Sequence, residues 1–247
     1  MSACCEPPEP QGLQGYDRVF DDRMARHDAA RYRRSGLSWD PRRVVELYRA
    51  GVVQGETLLE VGAGIGDLTV ELLRAGMRRS ECVELSGAYD AVAADLLAEH
   101  GLTGRCVRRA GDFAARPGLA APADVVVLLK VLCCYPDAPR LLAAAAAKAR
   151  RHVVVSYPRD AWWVRAGAAV CAAYPRLRRS DWRFVVHPPA EIRGALADAG
   201  LTRVRTESRG VWVLEVHERA AVAPDGDAPD GDAGGAEARD GAAVVGN

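Results

Sequence analysis

Short apolar runs alternate along the chain with longer segments in which apolar residues recur every three or four positions. The short runs predict five strands, at about residues 57–61, 81–85, 104–109, 124–129 and 152–156. The run at 124–129 is continuously apolar, which is typical of a parallel strand covered on both faces. The intervening segments predict helices at about 67–76, 86–101 and 139–150, so the pattern indicates an α/β fold.

Two further strands, at 202–208 and 211–218, follow a helix at 188–200 and predict a terminal antiparallel hairpin. Upstream, the charged segment 16–34 predicts a helix that covers the body of the protein, with one face formed by Val19, Phe20, Met24 and His27. Asp40 and Pro41 look like an N-cap followed by proline at the first position of a second helix. The whole pattern predicts a Rossmann-like α/β fold: a seven-stranded, mostly parallel sheet with a terminal antiparallel hairpin and an N-terminal helical cap.

Composition divides the chain into three parts. Residues 1–39 comprise a frayed, Pro- and Gly-rich start and the helical cap, and residues 40–219 form the folded domain. Residues 220–247 hold six acids and one base in Pro-Asp-Gly-Asp repeats without apolar periodicity. We expect this last part to be a disordered acidic tail.

Lys and Arg together equal Asp and Glu together, at 33 each, which argues against a dedicated polyanion binder. The basic and aromatic segment 161–187 could stack on nucleobases or close a substrate site, but without a basic excess elsewhere a nucleic-acid partner is disfavoured. No run approaches the roughly 18 apolar residues of a membrane span, and the N-terminus lacks the apolar core of a signal peptide. Seven cysteines, an odd number, indicate reduced thiols, and their spacing indicates no metal site. We expect a cytoplasmic protein.

Three glycines at alternate positions, Gly62, Gly64 and Gly66, follow the first predicted strand and precede a helix. Residues without a Cβ let a turn reach positive φ and let a ligand approach the backbone, and the helix points free N–H groups at that ligand. The turn therefore predicts a nucleotide-type cradle at the carboxyl end of a strand. A dinucleotide fingerprint needs its third glycine where Asp67 stands, and here Glu60 precedes the first glycine by two positions.

The segment Glu-x-Gly-x-Gly-x-Gly at 60–66 resembles the first motif of class I S-adenosylmethionine-dependent methyltransferases, and the resemblance covers roughly residues 40–219. It implies that the glycine turn lies against the methionine part of the cofactor. Glu84 ends the second strand, where a carboxylate can accept from both ribose hydroxyls. The resemblance also implies that Asp112 accepts from the adenine amino group and that Phe113 packs on the ring. The predicted cofactor residues are Glu60, Gly62, Ala63, Gly64, Gly66, Glu84, Leu85, Asp112, Phe113 and Lys130.

Three segments are similar to magnesium-protoporphyrin O-methyltransferases: 131–136, 156–159 and 184–187. Cys134 stands where that family carries a histidine, and a thiol replaces an imidazole base only if its pKa is lowered. The Asn/Asp-Pro-Pro-aromatic signature of amino-methylating nucleic-acid enzymes is absent, since Lys130-Val-Leu stands there. The resemblance therefore implies O- or C-methylation of a small molecule. The candidate bases are His187, Tyr135 and Tyr157, and Tyr16 and Tyr32 are weaker candidates for substrate contact.

Two alternatives stay open. The chain could bind S-adenosylmethionine without catalysis, as a partner subunit whose acceptor site is poorly equipped. It could also be an NAD(P)-dependent oxidoreductase, which Asp67 at the third-glycine position disfavours. Methyl transfer from a sulfonium requires orientation more than a catalytic triad, so the lack of a triad does not argue against an enzyme.

Overall fold

A computed structural model describes residues 16–171 and 182–220. It contains one seven-stranded sheet with the order β3-β2-β1-β4-β5-β7-β6. The strands are β1 Thr57–Val61, β2 Arg79–Glu84, β3 Cys106–Ala110, β4 Ala123–Leu129, β5 Ala149–Pro158, β6 Leu201–Arg209 and β7 Trp212–Arg219. Strands β1 to β5 pair in parallel, while β7 runs antiparallel to both β5 and β6. The predicted fold class, including the antiparallel end of the sheet, is confirmed.

Seven α-helices lie in the described parts of the chain: α1 Asp22–Ser35, α2 Trp39–Arg49, α3 Asp67–Ala75, α4 Asp90–Glu99, α5 Ala138–Lys148, α6 Trp162–Cys171 and α7 Pro189–Asp198. The predicted helix at 86–101 is shorter than expected, because Ser86 caps a separate 3-10 turn at Gly87–Tyr89 before α4 begins. None of the described helices is long and apolar enough to cross a membrane.

The prediction that Val19, Phe20, Met24 and His27 form one face of the N-terminal helix is wrong. Asp21 caps α1 by accepting from the backbone N–H of Met24 at 3.0 Å, so Val19 and Phe20 precede the helix instead of lying on it. The His27 side chain is 73% exposed. The buried residues of α1 are instead Ala25, Ala29 and Tyr32.

The predicted cap of the second helix is also wrong. Ser38 occupies the N-cap position of α2, and Asp40 lies inside the first turn, where it is 1% exposed. Its carboxylate accepts a hydrogen bond from the Ser156 hydroxyl on β5 at 2.9 Å. Asp40 is therefore a buried polar group that joins α2 to the sheet.

Two apolar clusters cover the two faces of the sheet. Helices α1 to α4 pack on one face, with Leu47, Leu68 and Leu72 among the fully buried residues. Helices α5 and α7 pack on the other, where Leu141 and Ile192 meet the strands. Because both faces are covered, the polar positions of the parallel strands collect at the strand ends, and the carboxyl ends form the site described below.

Several predicted features lie outside the described residues. They are the frayed residues 1–15, the part of the basic and aromatic segment at 172–181, and all of the acidic tail except Ala220. Of the described residues in the basic and aromatic segment, 162–171 form α6, which exposes Trp162 and Trp163. The proposed division of the chain at residues 39 and 219 stays a prediction.

Candidate functional site

The glycine turn connects β1 to α3 in the left-handed conformation that the sequence predicted. Gly62, Gly64 and Gly66 have φ values of 69°, 49° and 74°. A Cβ built on Gly62 would lie 2.4 Å from a methyl carbon of Val131, so neither the backbone nor the space there admits a side chain. Gly66 directly precedes α3, and the first N–H groups of that helix therefore face the turn.

Glu84, at the end of β2, is bound to the backbone of this turn. Its Oε2 accepts from the N–H of Gly64 at 2.8 Å, and its Oε1 accepts from Leu85 and Ser86 at 2.7 and 3.1 Å. Burial raises the pKa of the carboxyl group, and the three N–H groups offset part of that effect. The carboxylate is 6% exposed, and it lines a cavity.

That cavity, the Glu84 cavity, is lined by five of the predicted cofactor residues: Gly62, Glu84, Leu85, Asp112 and Phe113. Tyr135 donates its hydroxyl to both oxygens of Asp112 at 3.1 Å, and Asp112 Oδ1 also accepts from the N–H of Ala114. Phe113 is 3% exposed. A flat apolar group with a polar edge would find both an aromatic wall and an acceptor here.

A second depression, the Lys130 groove, also borders the glycine turn, since Gly62 lines both. It is lined by Glu60, Ala63, Gly64 and Lys130, together with Asp40. Burial raises the pKa of Glu60 to about 8, partly offset by the hydroxyl of Thr69, which donates to it at 2.6 Å. Gly66, the remaining predicted cofactor residue, lines neither depression; it is the N-cap residue of α3.

Lys130 is the one non-glycine residue with positive φ, 59°, in the described chain. Its backbone N–H donates to the Ser156 hydroxyl at 3.0 Å, and its Nζ lies 3.0 Å from an oxygen of Asp40. The same Nζ lies 5.2 Å from the ring centroid of Trp212, within range of a cation–π interaction. This role of Asp40 could not be predicted from the sequence, because an acid at a helix start is usually an exposed capping residue.

A third depression, the aromatic cavity, lies next to the loop that follows β4. Its described lining residues are Val19, Phe20, Met24, Lys130, Cys133, Cys134, Trp182, Phe184 and Trp212. Cys134 lines this cavity and the Glu84 cavity, and Lys130 lines this cavity and the Lys130 groove. The three spaces therefore meet around the loop that follows β4.

The three predicted bases are placed away from this junction or are already bonded. Tyr157 is 1% exposed and packs in the apolar cluster beneath α5 and α7. The Nε2 of His187 contacts the Tyr135 carbonyl at 3.0 Å, so the imidazole stabilises the loop after β4 that contains Tyr135. Burial and the Asp112 carboxylate raise the pKa of Tyr135, which keeps the phenol protonated. These contacts argue against all three predictions, since each side chain is buried or committed to a protein partner.

The two tyrosines predicted to contact substrate differ. Tyr16 lines the Glu84 cavity, and its ring stacks on Phe20 with centroids 4.3 Å apart. The Tyr32 hydroxyl instead donates to Glu71 at 2.7 Å, so Tyr32 joins α1 to α3 and lines none of the three depressions. Phe20 and Trp212 were not predicted as site residues, because they lie far apart along the sequence. Trp182 belongs to the segment 161–187, for which closing a substrate site was one of two alternatives.

The family model described as a methyltransferase domain matches residues 29–206. The chain belongs to this methyltransferase family. It is accordingly an enzyme that transfers one-carbon groups, with S-adenosylmethionine as its cofactor, and the oxidoreductase alternative is set aside. Among curated proteins none matches the sequence.

Solved methyltransferases share the fold. An O-methyltransferase family protein from Burkholderia thailandensis is 19% identical, with a TM-score of 0.66 over 88% of this chain and 66% of that one. Magnesium protoporphyrin IX methyltransferase from Synechocystis PCC 6803, with bound S-adenosylhomocysteine, is 21% identical, with a TM-score of 0.60 over 83% of this chain and 94% of that one. An O-methyltransferase family 2 protein from Planctomyces limnophilus, in complex with apigenin, is 22% identical, with a TM-score of 0.59 over 80% and 61%. At these identities the likeness bears on the fold alone.

Proposed function

We propose that this methyltransferase transfers a methyl group from S-adenosylmethionine to an oxygen of a small molecule. The observation that carries the proposal is the meeting of the Glu84 cavity and the aromatic cavity at Cys134. A cofactor in the first space and an acceptor in the second would be neighbours. Such proximity is the main requirement of a displacement that forms no covalent enzyme intermediate.

The residues present fit the cofactor. The glycine turn leaves no space for a side chain at Gly62, as expected where a ligand approaches the backbone. Glu84 would accept from the ribose hydroxyls, and Asp112 would accept from the adenine amino group beside the Phe113 ring. Glu60 and Ala63 line the Lys130 groove, where we place the amino-acid end of the cofactor.

When bound, S-adenosylmethionine supplies an electrophilic methyl group and leaves as S-adenosylhomocysteine. The chain's own contribution is to hold two molecules in register and to keep water from the space between them. The aromatic cavity is suited to this because most of its described lining is apolar. No described histidine is placed to remove a proton at the junction, which favours an acceptor that ionises readily.

Two further points favour oxygen as the methylated atom. The family resemblance of the loop after β4 lies with O-methyltransferases, and the amine-methylating signature is absent. The solved proteins that share the fold include several named as O-methyltransferases, one of them in complex with apigenin, a planar phenol. Carbon methylation would need a nucleophilic carbon activated by a nearby base, and no histidine or carboxylate is among the described residues that line the aromatic cavity.

The test begins with calorimetric titration of the full chain with S-adenosylhomocysteine, with NADH in parallel. We expect micromolar binding of the former alone. Transfer of a radiolabelled methyl group is then measured for a panel of phenols, carboxylic acids and matched amines. Labelled ethers or esters support the proposal, whereas labelled amines or C-methyl products would contradict it. Tight cofactor binding without transfer to any member of a broad panel would favour the non-catalytic partner-subunit hypothesis.

A further inference from the structure

We propose that the aromatic cavity is the acceptor site and that it selects a flat aromatic molecule carrying an oxyanion, which the Lys130 ammonium binds. This inference rests on the proposed function, because it names the class of acceptor for the same methyl transfer. It assigns Lys130 to the acceptor, whereas the sequence placed it with the cofactor.

The shape of the cavity favours a flat ring. Its described walls include four aromatic side chains from distant parts of the chain: Phe20, Trp182, Phe184 and Trp212. Phe20 and Trp182 meet edge to face, with centroids 5.7 Å apart and an interplanar angle of 80°. Such walls stack on aromatic ligands and give little hydrogen bonding to a flexible polar one.

Among flat molecules, the positive charge of Lys130 favours an anion. Lys130 is the one charged residue among the described residues that line the cavity. A cation in apolar surroundings attracts an anion more strongly than the same cation in water, because the local dielectric constant is lower. An acceptor with an ionised phenol or carboxyl group would therefore place its oxygen at Lys130.

The ammonium is held in position and keeps donors for a ligand. The left-handed backbone of Lys130 is fixed by its N–H bond to Ser156, and the buried Asp40 carboxylate holds Nζ at 3.0 Å. An ammonium has three N–H groups. Asp40 forms an ion pair with Nζ on one side, the Trp212 face lies near the cation, and the side chain is still 36% exposed. The N–H groups of the ammonium that do not face Asp40 can donate to an external anion.

This arrangement also explains how an acceptor could react without a histidine. The ammonium lowers the pKa of a bound hydroxyl by stabilising its anion, and the proton leaves to solvent before transfer. The oxygen then gains a methyl group in place of the charge, so the product is a neutral ether or ester. Because the product no longer pairs with Lys130, it binds more weakly than the acceptor and is released.

The test uses three probes of similar size in the presence of saturating S-adenosylhomocysteine: 2-naphthoate, neutral 2-naphthamide and the non-planar decahydronaphthalene-2-carboxylate. Binding is followed by quenching of tryptophan fluorescence and confirmed by calorimetry. Wild-type protein should bind 2-naphthoate at least ten times more tightly than either of the other two. Labelled methyl transfer to 2-naphthoate and to 2-naphthol then distinguishes carboxylate from phenolate acceptors.

Lys130→Met should weaken 2-naphthoate at least tenfold while leaving 2-naphthamide and S-adenosylhomocysteine within twofold. Lys130→Arg should restore much of the loss because it restores the charge. Lys148→Met is the matched control, since Lys148 is the chain's other lysine and ends α5 away from the cavity. Phe184→Leu should weaken both naphthalene probes together.

The possible outcomes distinguish a failure of this inference from a failure of the proposed function. If wild-type protein binds no S-adenosylhomocysteine, the proposed function itself fails. If the cofactor product binds but 2-naphthoate shows no preference over the other probes, the acceptor class is wrong and the function stands. If Lys130→Met loses S-adenosylhomocysteine while 2-naphthoate is unaffected, Lys130 belongs to the cofactor and the inference is overturned.

Discussion

The carboxylate of Glu84 accepts a hydrogen bond from the backbone N–H of Gly64 at 2.8 Å. This bond joins the end of β2 to the glycine turn after β1, although twenty residues separate the two along the chain. The same carboxylate that the sequence predicts for ribose therefore also holds the shape of the turn. Its loss should affect the cofactor in two ways, directly and through the turn.

Glu84→Gln should weaken S-adenosylhomocysteine binding by about 1–3 kcal/mol, which is roughly 5- to 150-fold. The amide replaces a charged acceptor and turns one of its ends into a donor that faces backbone N–H groups. Calorimetry measures the change. Glu81→Gln on the same strand is the control, because Glu81 pairs with Arg109 and lines none of the three depressions. Equal affinity of the Glu84 variant and the wild type would remove Glu84 from the cofactor site.

Gly62→Ala should abolish measurable cofactor binding. The added Cβ would meet Val131 at 2.4 Å on a backbone with φ of 69°. The double variant Gly62→Ala, Val131→Ala removes the clash but not the backbone strain, so it should recover folding more than binding. Gly194→Ala is the control, since nothing lies within 4 Å of a Cβ there and its φ is not positive. Circular dichroism and calorimetry follow fold and binding separately; normal affinity in the single variant would contradict the turn geometry.

Local patterns explain why the strands, the turn and most of the cofactor residues could be predicted from the sequence. Glycines at alternate positions after an apolar run have few other uses, and Glu84 follows the next strand at its tip. These features are set by residues close together in the sequence. The fold class could be predicted for the same reason, because the apolar periodicity of strands and helices is a local pattern.

The set of residues that line the aromatic cavity could not be predicted from the sequence. These residues lie far apart along the chain and come together only in the folded protein. Phe20 precedes α1, Phe184 follows the part of the chain that the structure leaves undescribed, and Trp212 begins β7. The candidate bases stay predictions, because a tyrosine or histidine in the sequence does not show which carbonyl or carboxylate it will contact in the folded protein. His187 and Tyr135 were chosen by residue type, and tertiary contacts decided their use.

Tyr135→Phe distinguishes the predicted base from the observed hydrogen-bond donor. The phenol is bonded to Asp112, and its raised pKa makes it a poor proton acceptor near neutral pH. We expect kcat to change less than threefold, while the KM for S-adenosylmethionine rises several-fold because Asp112 loses a partner. Steady-state kinetics across pH 6 to 9 provide the measurement. A fall in kcat of a hundredfold or more would restore Tyr135 as the base.

A buried ion network between β7 and α7 should control acid stability. Glu215 is fully buried and accepts from Arg193 Nε at 2.9 Å, while His217 Nε2 lies 3.2 Å from its other oxygen. Burial alone would raise the pKa of Glu215, but the hydrogen bonds from His217 and Arg193 outweigh burial and lower it to about 2. An unfolded glutamate has a pKa of about 4.3.

Because the folded pKa is depressed, the stabilisation from Glu215 is present above the unfolded value and is lost as pH falls from about 5 towards 2. The shift corresponds to about 3 kcal/mol of unfolding free energy. Glu215→Gln should lower the urea midpoint at pH 7 and should flatten the loss of stability between pH 5 and 3. Glu218→Gln, at an exposed position three residues further along β7, should keep the wild-type slope. If the Glu215 variant keeps that slope too, the acid sensitivity arises from other carboxylates.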